Sequence, residues 1–156
     1  SFMEQVIFRI ARLDDLPTLL ALLADDELGQ TREAPVGSLA IEYVDAFNAI
    51  ARDERNELIV AELNGEIVGM LQLTFIPGLT HRGGESAQVE GVRVAAAHRS
   101  LGIGRALIEW AIERASERGC RIVQLTTDKR RPHLHRFYAS LGFEATHEGM
   151  KLTLDR

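Results

Sequence analysis

"AHRSLGIGRALIEWAIERASERGC", Ala97 to Cys120, is the stretch on which the fold turns. Ile103, Ala106, Leu107, Trp110 and Ala111 fall at i, i+3, i+4, i+7 and i+8, so one stripe of an α-helix is committed to a core, and Arg118-Gly119 marks its end. Its beginning is what raises a functional question. Gly102 and Gly104 remove side chains that would screen the backbone, and Arg105 stands in the first turn, where a carboxylate would normally complement the helix dipole. Unpaired amides, a positive dipole end and the flanking Arg99 and Arg105 describe a cradle for a phosphate or pyrophosphate. A tight turn that needs glycine for its geometry alone is the competing reading. A nucleoside triphosphate loop is not supported, because no lysine followed by Ser or Thr comes after Gly104. A dinucleotide fingerprint fits poorly: Asp128 ends the next strand, but Leu107 takes the place of the third glycine and too little chain follows.

Working outward, "QVEGVRV" before the loop reads as a strand interrupted at Gly91, where a bulge or a close backbone approach is expected. Upstream of it, "ELIVAEL" and "EIVGMLQLTF" flank Asn64-Gly65, the dipeptide best suited to the positive φ angles of a two-residue hairpin. "PGLTHRGGES" between these strands reads as a loop. At the start, "VIFRIA" places Val6, Phe8 and Ile10 on one side of a strand. An amphipathic helix follows, with Asp14 or Asp15 as cap, Pro17 in the first turn and a stripe of Leu16, Leu19, Leu20 and Leu23. A second helix is predicted from about Ser38 to Arg52 on the spacing of Ile41, Val44, Phe47 and Ile50. After the quoted helix come a strand in "CRIVQLTT" and a short helix in "PHLHRFYASLG", begun by Pro132 and closed by Gly142 in the left-handed C′ position with Phe143 packing back. Two extended segments, 143–147 and 150–154, end the chain.

At 156 residues, 46% apolar and 26% charged, the chain has the length and composition of one globular domain, expected over residues 3–156, with Ser1 and Phe2 reading as a cloning remnant. A net charge of −5 argues against non-specific binding of nucleic acid or of an anionic membrane. The single cysteine, Cys120, excludes an internal disulfide framework and reads as a small packing residue. With no secretory signal and no apolar run long enough to span a bilayer, the expected location is the cytoplasm. His133 and His135 lie two apart on a predicted helix and face different directions, so no metal site is expected.

A strand, "RSLGIG", an amphipathic helix, a further strand and "HRFYASLGF", in that order, resemble the GNAT superfamily of acetyl-CoA-dependent N-acetyltransferases from Val6 to Leu154. Arg99, Gly102 and Gly104 match its Arg/Gln-x-x-Gly-x-Gly/Ala pyrophosphate loop, and "LTTDKRRPHLHRFYASLGF" is similar to aminoalkylphosphonate and other small-amine acetyltransferases. The resemblance implies an α/β fold: a mixed, mostly antiparallel sheet of six to seven strands, flanked by about four helices and split in a V between the fourth and fifth strands. It implies direct transfer of acetyl from acetyl-CoA to a primary amine of a small molecule. It places the donor's pyrophosphate on Arg99, Ser100, Leu101, Gly102, Ile103, Gly104 and Arg105, and its pantetheine arm and the reaction's oxyanion on the backbone of Val92, Arg93 and Val94. Glu90 then matches the general base and Tyr138 the acid that protonates the departing thiolate, the phenol and thiol having reference pKa values of about 10 and 8.5. Where many members carry an asparagine seven residues before the tyrosine, this chain has Arg131, which is expected either to meet a CoA phosphate or to belong to a solvated basic loop with Lys129 and Arg130. A non-catalytic acyl-CoA sensor, and more remotely a nucleic-acid-binding regulator using "KRRPHLHR", are the alternatives. The acceptor's identity and the oligomeric state, a homodimer included, stay open in the sequence.

Overall fold

The structure is a computed structural model that describes residues 5–25 and 40–155. Among them, five strands form one sheet in the order β1 (Val6–Ile10), β2 (Asn56–Leu63), β3 (Glu66–Ile76), β4 (Ser86–Val94) and β5 (Ile122–Gln124). The first four are mutually antiparallel, and β5 runs parallel to β4. The helices are α1 (Leu16–Ala24), α2 (Ile41–Ala51), α3 (Thr80–Gly83), α4 (Ile103–Arg118) and α5 (Pro132–Ser140). Contacts gather the chain into two compact units, Ser1–Gln124 and Leu125–Arg156.

The β2–β3 hairpin turns as its sequence requires. Asn64 at φ 51° and Gly65 at φ 79° are the two central residues, and Leu63 pairs with Glu66. Pairing sets two faces. Val60 and Met70, paired across β2 and β3, pack with Ala11, with Leu16, Leu19 and Leu22 of α1 and with Phe47 of α2. The expected stripe of α1 is thereby corrected: Leu22 is buried, while Leu20 and Leu23 pack at the margin. On α2, Phe47 is buried and Ile41 is 63% exposed; the predicted start at Ser38 lies outside the described residues.

α4 covers the other face. Ile103, Leu107, Ile108, Ala111 and Ala115 are buried, and Trp110 stacks on Phe8 of β1 at 6.1 Å between centroids. A Cβ on Gly69 would lie 2.9 Å from Leu107 Cδ1 and 3.1 Å from the Arg93 carbonyl oxygen, so the helix approaches β3 where a side chain is missing. Gly69→Val should therefore cost about 1–3 kcal/mol through overpacking, checked as a lowered midpoint in urea with an unchanged slope.

Three expectations of the sequence are corrected. The sheet has five strands among the described residues, not six or seven: 143–147 and 150–154 carry no strand, and Met150 and Leu152 are 93% and 86% exposed. Alternation supplies a propensity, but a strand exists only where a ladder closes. Among the described residues there are five helices, not about four. The additional one, α3, is a single turn within the expected loop, with His81 and Arg82 in left-handed geometry at φ 52° and 60°. Finally, "CRIVQLTT" yields only Ile122–Gln124, because pairing with β4 stops at Gln88 opposite Gln124.

Carboxylates tie the elements of the first unit together. Asp15, which also accepts the Arg12 amide at 2.7 Å, is held below the usual carboxylate range chiefly by hydrogen bonds from Arg9 of β1, at 2.8 and 3.1 Å. Glu85 is lowered by Arg118 of α4, whose guanidinium also lies 3.9 Å from the Phe75 ring centroid. Both groups have folded pKa values below their unfolded ones, so their contribution is complete above the unfolded value, about 4, and is lost as pH falls through the folded values. Melting temperature should be insensitive to these pairs between pH 7 and about 5 and fall below about 4. Arg118→Ala should lower the plateau and shrink the acid-side drop in thermal melts.

Candidate functional site

Each predicted site residue can be placed. Glu90 lies on β4, exposed, and makes no hydrogen bond or ion pair to the described residues. Immediately after it the ladder is irregular: Gln72 pairs with Glu90 and Met70 with Arg93, leaving Leu71 opposite both Gly91 and Val92. This is a β-bulge on β4, with Gly91 at φ 64°. A Cβ there would meet nothing within 4 Å, so backbone conformation rather than crowding calls for glycine. Such a bulge takes Gly91 and Val92 out of the regular ladder just before Arg93 and Val94, the stretch where the oxyanion and pantetheine were expected.

β4 runs into a 3-10 turn at Ala96–His98 and then the glycine loop. Ser100 at φ 66° and Gly102 at φ 88° are both left-handed, and Gly102 is the residue that caps α4. Ser100 is the feature the sequence reading missed, since only glycine advertises such geometry. Ala106 donates to the Gly102 carbonyl at 3.0 Å, so Ile103 and Gly104 stand at the very start of the helix, ahead of that bond. No acidic residue stands in this first turn. The cations around it are partly engaged. Arg99 reaches the Val94 carbonyl at 3.3 Å and the Asp25 carbonyl at 3.1 Å, and Arg105 lies 3.6 Å from Glu109.

The second unit holds Arg131 and Tyr138. Pro132 begins α5 and Gly142, at φ 98°, ends it. Gly142 donates to the Ala139 carbonyl at 3.0 Å and Phe143 to the Tyr138 carbonyl at 3.2 Å, the paired bonds of a Schellman motif. Tyr138 is 9% exposed and meets Phe137 and Phe143 edge-on, at 5.1 and 5.8 Å. Arg131 is the N-cap of α5. Of the basic run before it, Arg130 is bound by Asp128 at 2.9 and 2.6 Å, which holds that carboxyl far below its usual range.

Other candidates recede. Burial, with the Glu85 carboxylate adding to it, pushes the Cys120 thiol up, the opposite of what a nucleophile needs. His133 and His135 are exposed, and the described residues contain no cluster of three or more His, Cys, Asp or Glu suited to a metal. No helix among them is long and apolar enough to cross a membrane. A cleft of about 270 Å³ between α2 and β2 includes none of the predicted site residues.

A bulged fourth strand that leads through a left-handed glycine turn into a helix with no acidic residue in its first turn, on a mostly antiparallel five-stranded sheet, defines the class of α/β fold among the described residues. Comparison with known proteins gives the family. Residues 20–143 match the model of the acetyltransferase (GNAT) family, and the chain belongs to that family. It is 32% identical to the aminoalkylphosphonate N-acetyltransferase of Salmonella typhimurium over 105 residues, covering 67% of this chain and 68% of the relative. It is 32% identical to the glucosamine 6-phosphate N-acetyltransferase of Trypanosoma brucei brucei over 152 residues, covering 94% of each. A solved structure described as a transcriptional regulator from Bacillus halodurans C-125 is 53% identical and superposes with a TM-score of 0.93 over 96% of this chain and 99% of that one. The protein is thus an acetyltransferase with acetyl-CoA as its acetyl donor.

Proposed function

We propose that residues 3–156 act as one acetyltransferase domain, working in the cytoplasm, that moves the acetyl group of acetyl-CoA onto the primary amine of a small molecule. The observation that carries the reading is Glu90: a carboxylate without a protein partner among the described residues, beside the β4 bulge, on the strand that leads into the glycine loop. The curated relatives, one acting on aminoalkylphosphonates and one on an amino sugar phosphate, support an amine acceptor.

In this mechanism the amides of Ile103 and Gly104 bind the pyrophosphate, with Arg99 and Arg105 adding positive charge, and Arg131 meets a CoA phosphate. Backbone amides from Val92 to Val94 hold the pantetheine arm as an added strand would and face the thioester oxygen as it becomes an oxyanion. Glu90 takes a proton from the ammonium, directly or through one water, and the freed nitrogen lone pair forms a bond to the carbonyl carbon. When the tetrahedral intermediate collapses, the carbon–sulfur bond breaks and Tyr138 donates its proton to the thiolate. The acetylated nitrogen gives up its second proton, which restores the phenol, and Glu90 returns its proton to solvent, leaving a neutral acetamide and the free CoA thiol.

The test is CoA thiol release from acetyl-CoA against a panel of 2-aminoethylphosphonate, glucosamine 6-phosphate, spermidine, an aminoglycoside and amino acids. Amine-dependent release with formation of the acetamide is the expected result, and none with any acceptor would reject the reading.

A further inference from the structure

On the face of the sheet that carries Glu90, β3 presents Gln72 and Thr74, and β2 presents Asn56. These polar residues form a chain whose direction is fixed at one end. Asp53, in the turn after α2, has its carboxyl lowered first by the Arg55 amide, at 2.9 Å, and then by Asn56 Nδ2, also at 2.9 Å. An ionised carboxylate only accepts, so the Asn56 amide must turn its NH2 group to Asp53 and its Oδ1 the other way. Oδ1 receives Gln72 Nε2 at 3.1 Å and the Thr74 hydroxyl at 2.7 Å. Gln72 must then donate towards Asn56, because the flipped amide would set two acceptors against each other. Its carbonyl oxygen, Oε1, is left without a partner among the described residues.

Gln72 is the residue paired directly with Glu90. Residues paired this way have Cβ atoms about 4.5–5.5 Å apart on one face, within reach of a shared small group. Two acceptors, one charged and one neutral, thus stand side by side with no protein donor. We infer that Gln72 Oε1 and the Glu90 carboxylate together form the seat for the acceptor's amino group, with Gln72 as a positioning residue. This deepens the proposed amine acetylation and rests on that reading. A carbonyl oxygen accepts an N–H from an ammonium and from a neutral amine alike, so it holds the nitrogen before and after the proton leaves. Glu90 by itself holds the nitrogen less firmly after the transfer, because once protonated it is a neutral acceptor and has turned one oxygen into an O–H donor. The ligand class is an amine that keeps an N–H after deprotonation. The neighbouring Gln88, bonded to Gln124 at 3.3 Å, adds neutral polar groups suited to a hydroxyl- or amide-bearing substrate.

The experiment compares steady-state kinetics of the whole protein and two variants, using whichever panel amine the wild type turns over fastest. Gln72→Leu should raise KM for the amine about 10- to 100-fold, as expected for losing one hydrogen bond to a charged group, with KM for acetyl-CoA within about twofold and kcat within about threefold. Thr74→Val removes the other donor to Asn56 and should leave the amine KM within about threefold. An unchanged amine KM in Gln72→Leu, or an equal rise in KM for acetyl-CoA, would overturn the assignment while wild-type turnover still upholds the acetyltransferase reading. Absence of wild-type turnover with every amine would overturn both.

Discussion

Glu90→Gln should lower the rate of acetyl transfer by roughly 10² to 10⁴ near neutral pH, while the affinity for acetyl-CoA stays within about twofold. The amide keeps the shape of the side chain and can still accept a hydrogen bond, but it cannot take a proton. Only the chemical step that needs a base is removed. Because Glu90 has no ion pair or hydrogen bond among the described residues, the substitution leaves no buried partner behind, and the melting temperature should hardly move. Its exposure beside the β4 bulge leaves no packing to lose. The check is paired: turnover by thiol release, and acetyl-CoA binding by calorimetry. Activity within threefold of wild type would remove Glu90 from the role of base. A parallel loss of affinity would show that it acts on the donor and not on the acceptor.

Gly104→Val is expected to act on the other substrate. Position 104 is the second residue of α4, where valine costs the helix well under about 1 kcal/mol. Its branched side chain would stand among the first-turn amides and keep a diphosphate from reaching them. Several charge-assisted hydrogen bonds are lost at once, so acetyl-CoA affinity should fall roughly 10²-fold or more, while the fold survives. Far-ultraviolet circular dichroism and a thermal melt establish the second half of that statement, and equilibrium dialysis the first. Unaltered affinity in a folded Gly104→Val protein would move the diphosphate away from the α4 N-terminus. Glu90→Gln and Gly104→Val thus separate donor binding from amine activation.

Much of the frame was legible because its signals are local. Asn64-Gly65 permits positive φ at two successive residues and so marked a hairpin and its first pairs, Leu63 with Glu66 and Glu62 with Ile67, whereas the register shift between Ala61 and Glu62 beyond them has no such local signal. The α4 stripe, the glycines at its start and the Pro132 and Gly142 that bound α5 are likewise settled within a turn or two of chain. Gly91 marked the bulge on β4 because a side chain in that backbone conformation is strained. Where the sequence misled, the missing information was a partner. Residues 150–154 alternate as a strand should, and "CRIVQLTT" is rich in β-formers, yet strand structure extends only over Ile122–Gln124. Ile10 shares the side of β1 that carries Phe8 but is 53% exposed, since nothing among the described residues covers the end of that edge strand.

Sequence by itself determined the β2–β3 turn, the existence of α4 and α5 with the signals that bound them, and the absence of an acid from the first turn of α4, because each of these depends on the backbone freedom and spacing of residues close together. Tertiary structure alone decided that Gly69 is the contact point of α4 and that Asp53, Asn56 and Gln72, from a turn and two strands, form one oriented chain ending beside Glu90. Hydrogen-bond direction passes through space from one side chain to the next, and no periodicity along the chain encodes it.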